Sequence, residues 1–273
     1  MSGGLVLRLA GLLQSWGTAG TFHHRDTAPF PTRSGLIGMF AAAQGRTRQT
    51  ALDPYTDLPG QPSHTDLSFT YRVDRPGTVF RDFHTAGGGY GHKQGLRTAA
   101  GGYRSADKST LVTRRDYLAD AVFTVAVQGP PALLAHIADT LRTPVFSPYL
   151  GRRWCLPDEP LVMHADRPDP VNALTEHVPL SLAAPPPPHA ATVPVLFVWE
   201  RPPRPGPGPL AWAPDWETAA EPVDFTTTDR RHLLRPLWRT TEPLPAALYA
   251  GPQPAAALAD YLTRPDPPAK APA

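Results

Sequence analysis

One cysteine, Cys155, stands in a chain of 273 residues, which excludes a disulfide framework and a multi-cysteine zinc site. No apolar run is long. The longest, Val193–Trp199, is interrupted by Pro194 and falls far short of a membrane span. The first residues, MSGGLVLRLAGLLQSWG, lack a basic region and a signal-cleavage pattern, so a soluble, cytoplasmic protein without membrane contact is expected. Several catalytic templates are missing too: no phosphate-binding P-loop, no GxSxG elbow, no HExxH and no GxGxxG after a strand. Lysine is scarce, with 3 among the 26 basic residues. In a chain this rich in Ala, Pro and Gly, that bias says little about partners.

What is present is a chain with 41% hydrophobic residues, 36 prolines and 22 glycines, enough for a packed core with long irregular stretches. The net charge is +2, but it is unevenly spread. Residues 1–160 carry 17 basic and 12 acidic side chains, and residues 161–273 carry 9 and 12. The window Arg81–Arg115 holds seven basic residues against Asp82 and Asp107, together with seven glycines. A cationic, glycine-rich segment with scattered aromatics is a candidate polyanion contact or a solvated loop.

Periodicity predicts a strand over Leu5–Leu9, then a polar loop over residues 14–33. A helix follows in PTRSGLIGMFAAAQG, capped by Thr32 or Ser34, with Leu36, Ile37, Phe40 and Ala43 on its apolar face. Leu67–Asp74 alternates apolar and polar residues, which predicts a half-buried strand. Beyond the basic window come a strand at Ala121–Gln128, a helix opened by Pro131 with Leu133, Leu134, Ile137, Ala138 and Leu141 as its stripe, and a short strand at Leu161–His164. This order, βαββαβ, predicts an α+β protein with a ferredoxin-like (RRM-type) domain over residues 1–165. Residues 166–273 hold 24 prolines. Here a strand at Val193–Trp199 and a short helix at Ala255–Leu262 stand out, and the remainder of 166–265 reads as irregular chain with some β structure wrapping the first domain. Residues 266–273 read as a flexible tail.

Among chemical motifs, Gly35-Leu36-Ile37-Gly38 matches a KH-type GXXG, but its middle residues belong to the helical stripe. His23, His24 and Asp26 read as polar loop residues, so no metal site and no cofactor are expected. Tyr90, His92 and Lys93, with His84, have the residue types for metal-free RNA cleavage, though in the most glycine-rich part of the chain. The stronger constellation lies between the first strand and helix. Gln14, Ser15, Thr32 and Ser34 are neutral donors, Arg25 and Arg33 are charged forks, and Trp16 is either a stacking surface or a core anchor. Arg152 and Arg153 add a compact basic turn.

The blocks LVLRLAGLLQSWG, RDTAPFPTRSGLIGMFAAAQGR, RDFHTAGGG, LVTRRDYLADAVFTVAV and PVFSPYLGRRWCLP, spread in that order over residues 4–160, resemble the CasD-type subunits of Cascade, the type I-E CRISPR surveillance complex (RAMP superfamily). The resemblance implies a long β-hairpin thumb inserted at about residues 79–115. It also implies a non-enzymatic, antiviral role: binding the 5′ handle of the CRISPR RNA and capping the backbone filament. Its partners would be the adjacent backbone subunit and the large subunit, with target DNA nearby. RNA contacts are then expected at Gln14, Ser15, Trp16, Arg25, Thr32, Arg33 and Ser34, and at Arg97, Arg104, Lys108, Arg114, Arg115, Arg152 and Arg153. Two alternatives stay open: a metal-independent endoribonuclease that processes CRISPR repeat RNA, and a protein-only scaffold subunit.

Overall fold

A computed structural model of the chain describes residues 3–18, 23–87, 96–98, 101–105, 110–203, 213–225 and 231–263. The chain is a mixed α+β structure dominated by sheet. Its strands are β1 (Gly4–Ala10), β2 (Leu13–Gln14), β3 (His24–Arg25), β4 (Ser68–Arg75), β5 (Thr78–Gly87), β6 (Thr110–Ala119), β7 (Val122–Gln128), β8 (Val162–Arg167), β9 (Thr192–Trp199), β10 (Trp216–Asp224) and β11 (Arg231–Pro245). The helices are α1 (Arg33–Ala43), α2 (Pro131–Arg142), α3 (Pro170–Glu176) and α4 (Ala255–Thr263). None of the described helices is long and apolar enough to cross a membrane.

The main sheet has seven strands in the order β10-β11-β9-β4-β7-β1-β8, every neighbouring pair antiparallel. Its central strands are buried on both faces. On β1, Leu5, Leu7 and Leu9 join the cluster containing the α1 and α2 side chains, whereas Val6 joins a second cluster with Leu174, Val178, Leu258 and Tyr261. This corrects the half-buried reading of β4. Its polar face is covered by α3 and the chain after it, and Arg72 there binds Asp74 through Nε–Oδ1 at 2.6 Å and donates to the carbonyls of Leu174, Val178 and Pro179. Arg8 meets the same Asp74 at 3.2 Å. Buried charges survive only when paired and bonded in this way.

The second half of the chain also differs from an irregular wrap. β9 pairs directly with β4, and β11 and β10 extend the sheet beyond it. The prolines did not prevent this: Pro243 faces Pro194 in the β11–β9 register, so the two residues that have no N–H to donate share one rung of the ladder.

A second, smaller sheet grows out of the first. β4 and β7 pair as far as Arg75 and Val122, and the ladder resumes from Thr78 and Ala119 as the β5–β6 ribbon, ten residue pairs long. The kink between the two sits at Gly77 (φ +74°) and Asp120 (φ 58°). A Cβ on Gly77 would lie 2.7 Å from the Ala119 carbonyl oxygen, so only glycine fits there.

Candidate nucleic-acid interface

The polar turn after β1 folds back along the ribbon. β2 pairs antiparallel with the end of β6, and β3 pairs parallel with its middle, setting His24 beside Arg114 and Arg25 beside Arg115. Side chains alternate along a strand, so these pairs lie on opposite faces of the ribbon.

Five of the residues expected to contact RNA, in the N-terminal turn and at the start of α1, have their side chains buried within the fold. Gln14 is fully buried: its Nε2 donates to the Leu9 and Ala121 carbonyls at 3.0 and 2.8 Å, and its Oε1 accepts from Trp16 Nε1 at 3.0 Å. Ser15, also buried, donates to the Asp116 carbonyl. Trp16 is a core anchor, its ring packed against Gly35. Thr32 caps α1 by accepting from the Gly35 amide. Arg33, 1% exposed, donates through Nη1 to Glu200 Oε2 at 2.9 Å and to the Leu67 carbonyl at 2.8 Å, and through Nη2 to the Thr65 carbonyl at 2.9 Å. Glu221 lies against the same guanidinium. Burial pushes the Glu200 carboxyl up, and Arg33 and Arg235 pull it back down. These side chains are committed inside the fold; Ser34 beside them is half-buried.

The other cations gather elsewhere. On one face of the ribbon, Arg25 and Arg115 are register partners, and Arg152 Nη2 donates to the Arg25 carbonyl at 3.1 Å. The Arg152 guanidinium lies 4.5 Å from the centre of the buried Tyr117 ring, which also packs on Trp154 at 4.7 Å. Trp154 is 52% exposed, and Arg153 beside it is exposed as well. The turn carrying them is rigidly seated. Ser15 donates its amide to the Leu150 carbonyl, and Gly151 (φ +89°) approaches so closely that a Cβ would fall 1.7 Å from the Ser15 carbonyl oxygen. Trp154 was not singled out from the sequence, although its place directly after Arg152-Arg153 was a usable signal.

On the other face, Arg81 grips Asp116 with both arms of its fork, Nε–Oδ1 at 2.7 Å and Nη2–Oδ2 at 3.1 Å, and His24 Nε2 approaches Oδ2 at 2.8 Å. The bonds from Arg81 hold the Asp116 carboxyl down at about 2, with His24 adding to the effect. Arg81 and His24, with His23, Phe83, Val112 and Arg114, line an open cleft of about 330 Å³. Arg114 therefore lies on the face opposite Arg25 and Arg115.

Further along, Arg97 is exposed and stacks on Tyr103 at 5.5 Å, and Arg104 is half-buried. Lys108, Tyr90, His92 and Lys93 lie outside the described residues; His84 sits 3.6 Å from Asp82. Among the described residues no group of three or more His, Cys, Asp or Glu side chains is placed to hold a metal ion.

The family model described as CRISPR-associated protein (Cas_Cas5) matches residues 4–240 of this chain. The CRISPR system Cascade subunit CasD of Escherichia coli strain K12 is 34% identical over 188 residues, covering 64% of this chain and 77% of that protein. A chain in a solved CRISPR RNA-guided surveillance complex is similar at a TM-score of 0.82 and 43% identity, over 96% of this chain and 100% of that one. A crystal structure of a Cas protein is similar at a TM-score of 0.54 and 27% identity, over 90% and 97%.

Proposed function

Because the chain belongs to the CRISPR-associated Cas5 family, we propose that it is a non-catalytic subunit of a Cascade-type surveillance complex in the cytoplasm, gripping the 5′ handle of the CRISPR RNA and capping the backbone filament. The observation that carries this reading is the convergence of Arg25, Arg115 and Arg152 on one face of the β5–β6 ribbon, beside an exposed Trp154. Guanidinium forks bind phosphates and fix the register of a strand. An exposed indole beside them offers a stacking surface for an unpaired base, the usual way single-stranded RNA is read. Arg153 adds a further phosphate contact, and Arg97, Arg104 and Lys108, from the chain between β5 and β6 in sequence, add others. Gln14, Ser15, Trp16, Thr32 and Arg33 act one layer below. They hold the turn against which the RNA-facing side chains are set.

The strand order β4-β7-β1-β8, with α1 and α2 in one shared core, supports reading residues 1–165 as a ferredoxin-like domain. The β5–β6 ribbon is then its inserted thumb, and residues 166–265 form a C-terminal region that widens the same sheet. Bound to the RNA, the subunit would meet the neighbouring backbone and large subunits, close to the target DNA.

The test is ultraviolet crosslinking of RNA in the assembled complex, read out by residue. Crosslinks at Trp154 and along residues 149–153 and 110–117 are expected. An assembled complex whose RNA crosslinks only to other subunits overturns the reading and leaves a protein-only scaffold. Incubation of the purified chain with repeat RNA should leave it intact; cleavage at one position, abolished by His92→Ala, would establish the nuclease instead.

A further inference from the structure

A second concave surface lies over the extension of the main sheet. The chain from Thr27 to Phe30 lines one side of it, and β9, β10 and the middle of β11 line the other, around an open groove of about 470 Å³. Ligand clefts are typically roughly 300–1,000 Å³. The lining is mostly apolar: Phe30 and Val198 are buried, whereas Leu196 and Trp216 are only half-buried. Both sides are fixed. The Ala28 amide donates to the Trp16 carbonyl at 2.6 Å, and the Trp16 amide donates to Thr27 Oγ1 at 2.9 Å. Opposite, the Trp216 ring meets Phe30 edge-on at 6.0 Å, and Asp215 next to it donates its amide to the Leu237 carbonyl and accepts from the Arg239 amide. Such a groove is preformed and costs little to fill.

Two charged side chains line the groove, Arg239 and Glu217, and both are exposed. The Arg239 guanidinium lies 5.6 Å from the centre of the Trp216 ring, and among the described residues it makes no ion pair. Stacking on the indole uses the face of the guanidinium and leaves the N–H groups along its edge for an acceptor. A phosphate chain brings repeated negative charge and is held by several cations; one arginine beside a glutamate does not supply them. One carboxylate next to an apolar side chain fits this surface. Trp and Arg are also the side chains that dominate contacts between proteins. We propose that the groove docks a segment of a neighbouring protein subunit, with an apolar side chain on Leu196 and Trp216 and an Asp or Glu carboxylate on Arg239. Glu217 repels a second carboxylate, so a single acidic residue is favoured over an acidic run. The docking rests on membership in a Cascade-type complex and not on the grip on RNA proposed above.

The experiment uses the complex assembled from all its subunits and guide RNA, with photoreactive benzoylphenylalanine in place of Glu217. Irradiation should attach it to one protein neighbour, at a segment carrying an Asp or Glu next to an apolar residue. Arg239 is exposed, so Arg239→Glu should leave folding intact, and thermal denaturation verifies this. That change should weaken binding of the crosslinked neighbour by roughly 30-fold, the scale of an interface hot spot. Arg239→Lys should lose less, and replacing the neighbour's acidic residue with Lys should restore its binding to the Arg239→Glu chain. An adduct on guide RNA or target DNA, on a second copy of this chain, or within the chain itself overturns the docking. Absence of any adduct, with unchanged affinity in Arg239→Glu, overturns it as well. Guide RNA crosslinks at Trp154 and residues 149–153, measured in the same complex, report on the proposed function separately, so either reading can fail while the other stands.

Discussion

The turn that follows β1 and the ribbon it packs against are both rich in arginine and polar side chains, yet they use charge in opposite ways. In the turn and the helix after it, Arg33 is 1% exposed and bonded to Glu200 and two backbone carbonyls. On the ribbon, Arg114 and Arg25 are exposed, and their register partners are a histidine and another arginine. The difference follows from desolvation. A guanidinium taken out of water must find its full set of acceptors inside the protein, and it then has none left for a ligand. One left at the surface beside like charges gains most from an incoming phosphate. Position relative to the sheet, and not residue type, decides whether an arginine builds the fold or serves the site.

The comparison breaks most sharply at Arg33. Replacing it with Met strands the buried Glu200 carboxylate, whose remaining cationic neighbour, Arg235, sits at 3.5 Å. A loss of about 3–5 kcal/mol is expected by denaturant unfolding, with much of it recovered when Glu200→Leu is added. RNA binding by the folded complex should change little. An Arg33→Met chain of wild-type stability that binds guide RNA poorly would place Arg33 with the ribbon arginines and dissolve the distinction.

Much of the scaffold could be read from local pattern. The α2 stripe of Leu133, Leu134, Ile137, Ala138 and Leu141 is buried throughout, and Thr32 caps α1. The elements that escaped were β10 and β11, where Pro222, Pro236 and Pro243 interrupt the alternation. These strands are held by their neighbours in the sheet, a tertiary effect that outweighs propensity. The second covered face of β4 escaped for a related reason, since it depends on α3 packing from a hundred residues away. At the site, the basic window was visible as composition. Its division into two faces was not, because it depends on the parallel pairing of residues 24–25 with 114–115. Burial of Gln14 and Arg33 was equally hidden, since their acceptors at Ala121 and Glu200 are remote in sequence.

Acid sharpens the contrast between interior and rim. His64 is completely buried, donating from Nδ1 to the Ala51 carbonyl at 2.8 Å. Burial, with Arg46, His136 and Arg33 adding repulsion, lowers its pKa from 6.5 to about 4. Between those values the unfolded chain takes up a proton that the folded chain refuses, so stability is unaffected above pH 7 and falls as the pH drops toward 4. The expected loss is about 3 kcal/mol. Asp116 at the ribbon acts in a separate window. With its pKa held at about 2 instead of 3.8, its contribution is intact above pH 4 and is lost only as the pH falls toward 2. Unfolding curves at pH 7 and pH 4.5 check the first effect. His64→Asn should flatten the pH dependence in that interval, and an undiminished dependence in that variant would assign the acid sensitivity to other groups.

The smallest effect on stability is expected where the effect on binding is clearest. Arg153→Ala removes an exposed side chain and should leave unfolding within about 0.5 kcal/mol of wild type. If Arg153 contacts one phosphate of a single strand, the slope of log affinity against log salt should shrink by ~0.7. Arg142 is the matching control. It is also exposed, but it lies in the last turn of α2 with Asp139 3.6 Å away, so Arg142→Ala should leave both stability and the salt slope unchanged. Equal shifts in the two variants would mean that the RNA senses only overall charge. A change confined to Arg153 would show that the phosphate chain runs over the turn docked on Ser15, because long-range attraction is screened within about 8–10 Å at ordinary ionic strength and a slope change counts contacts.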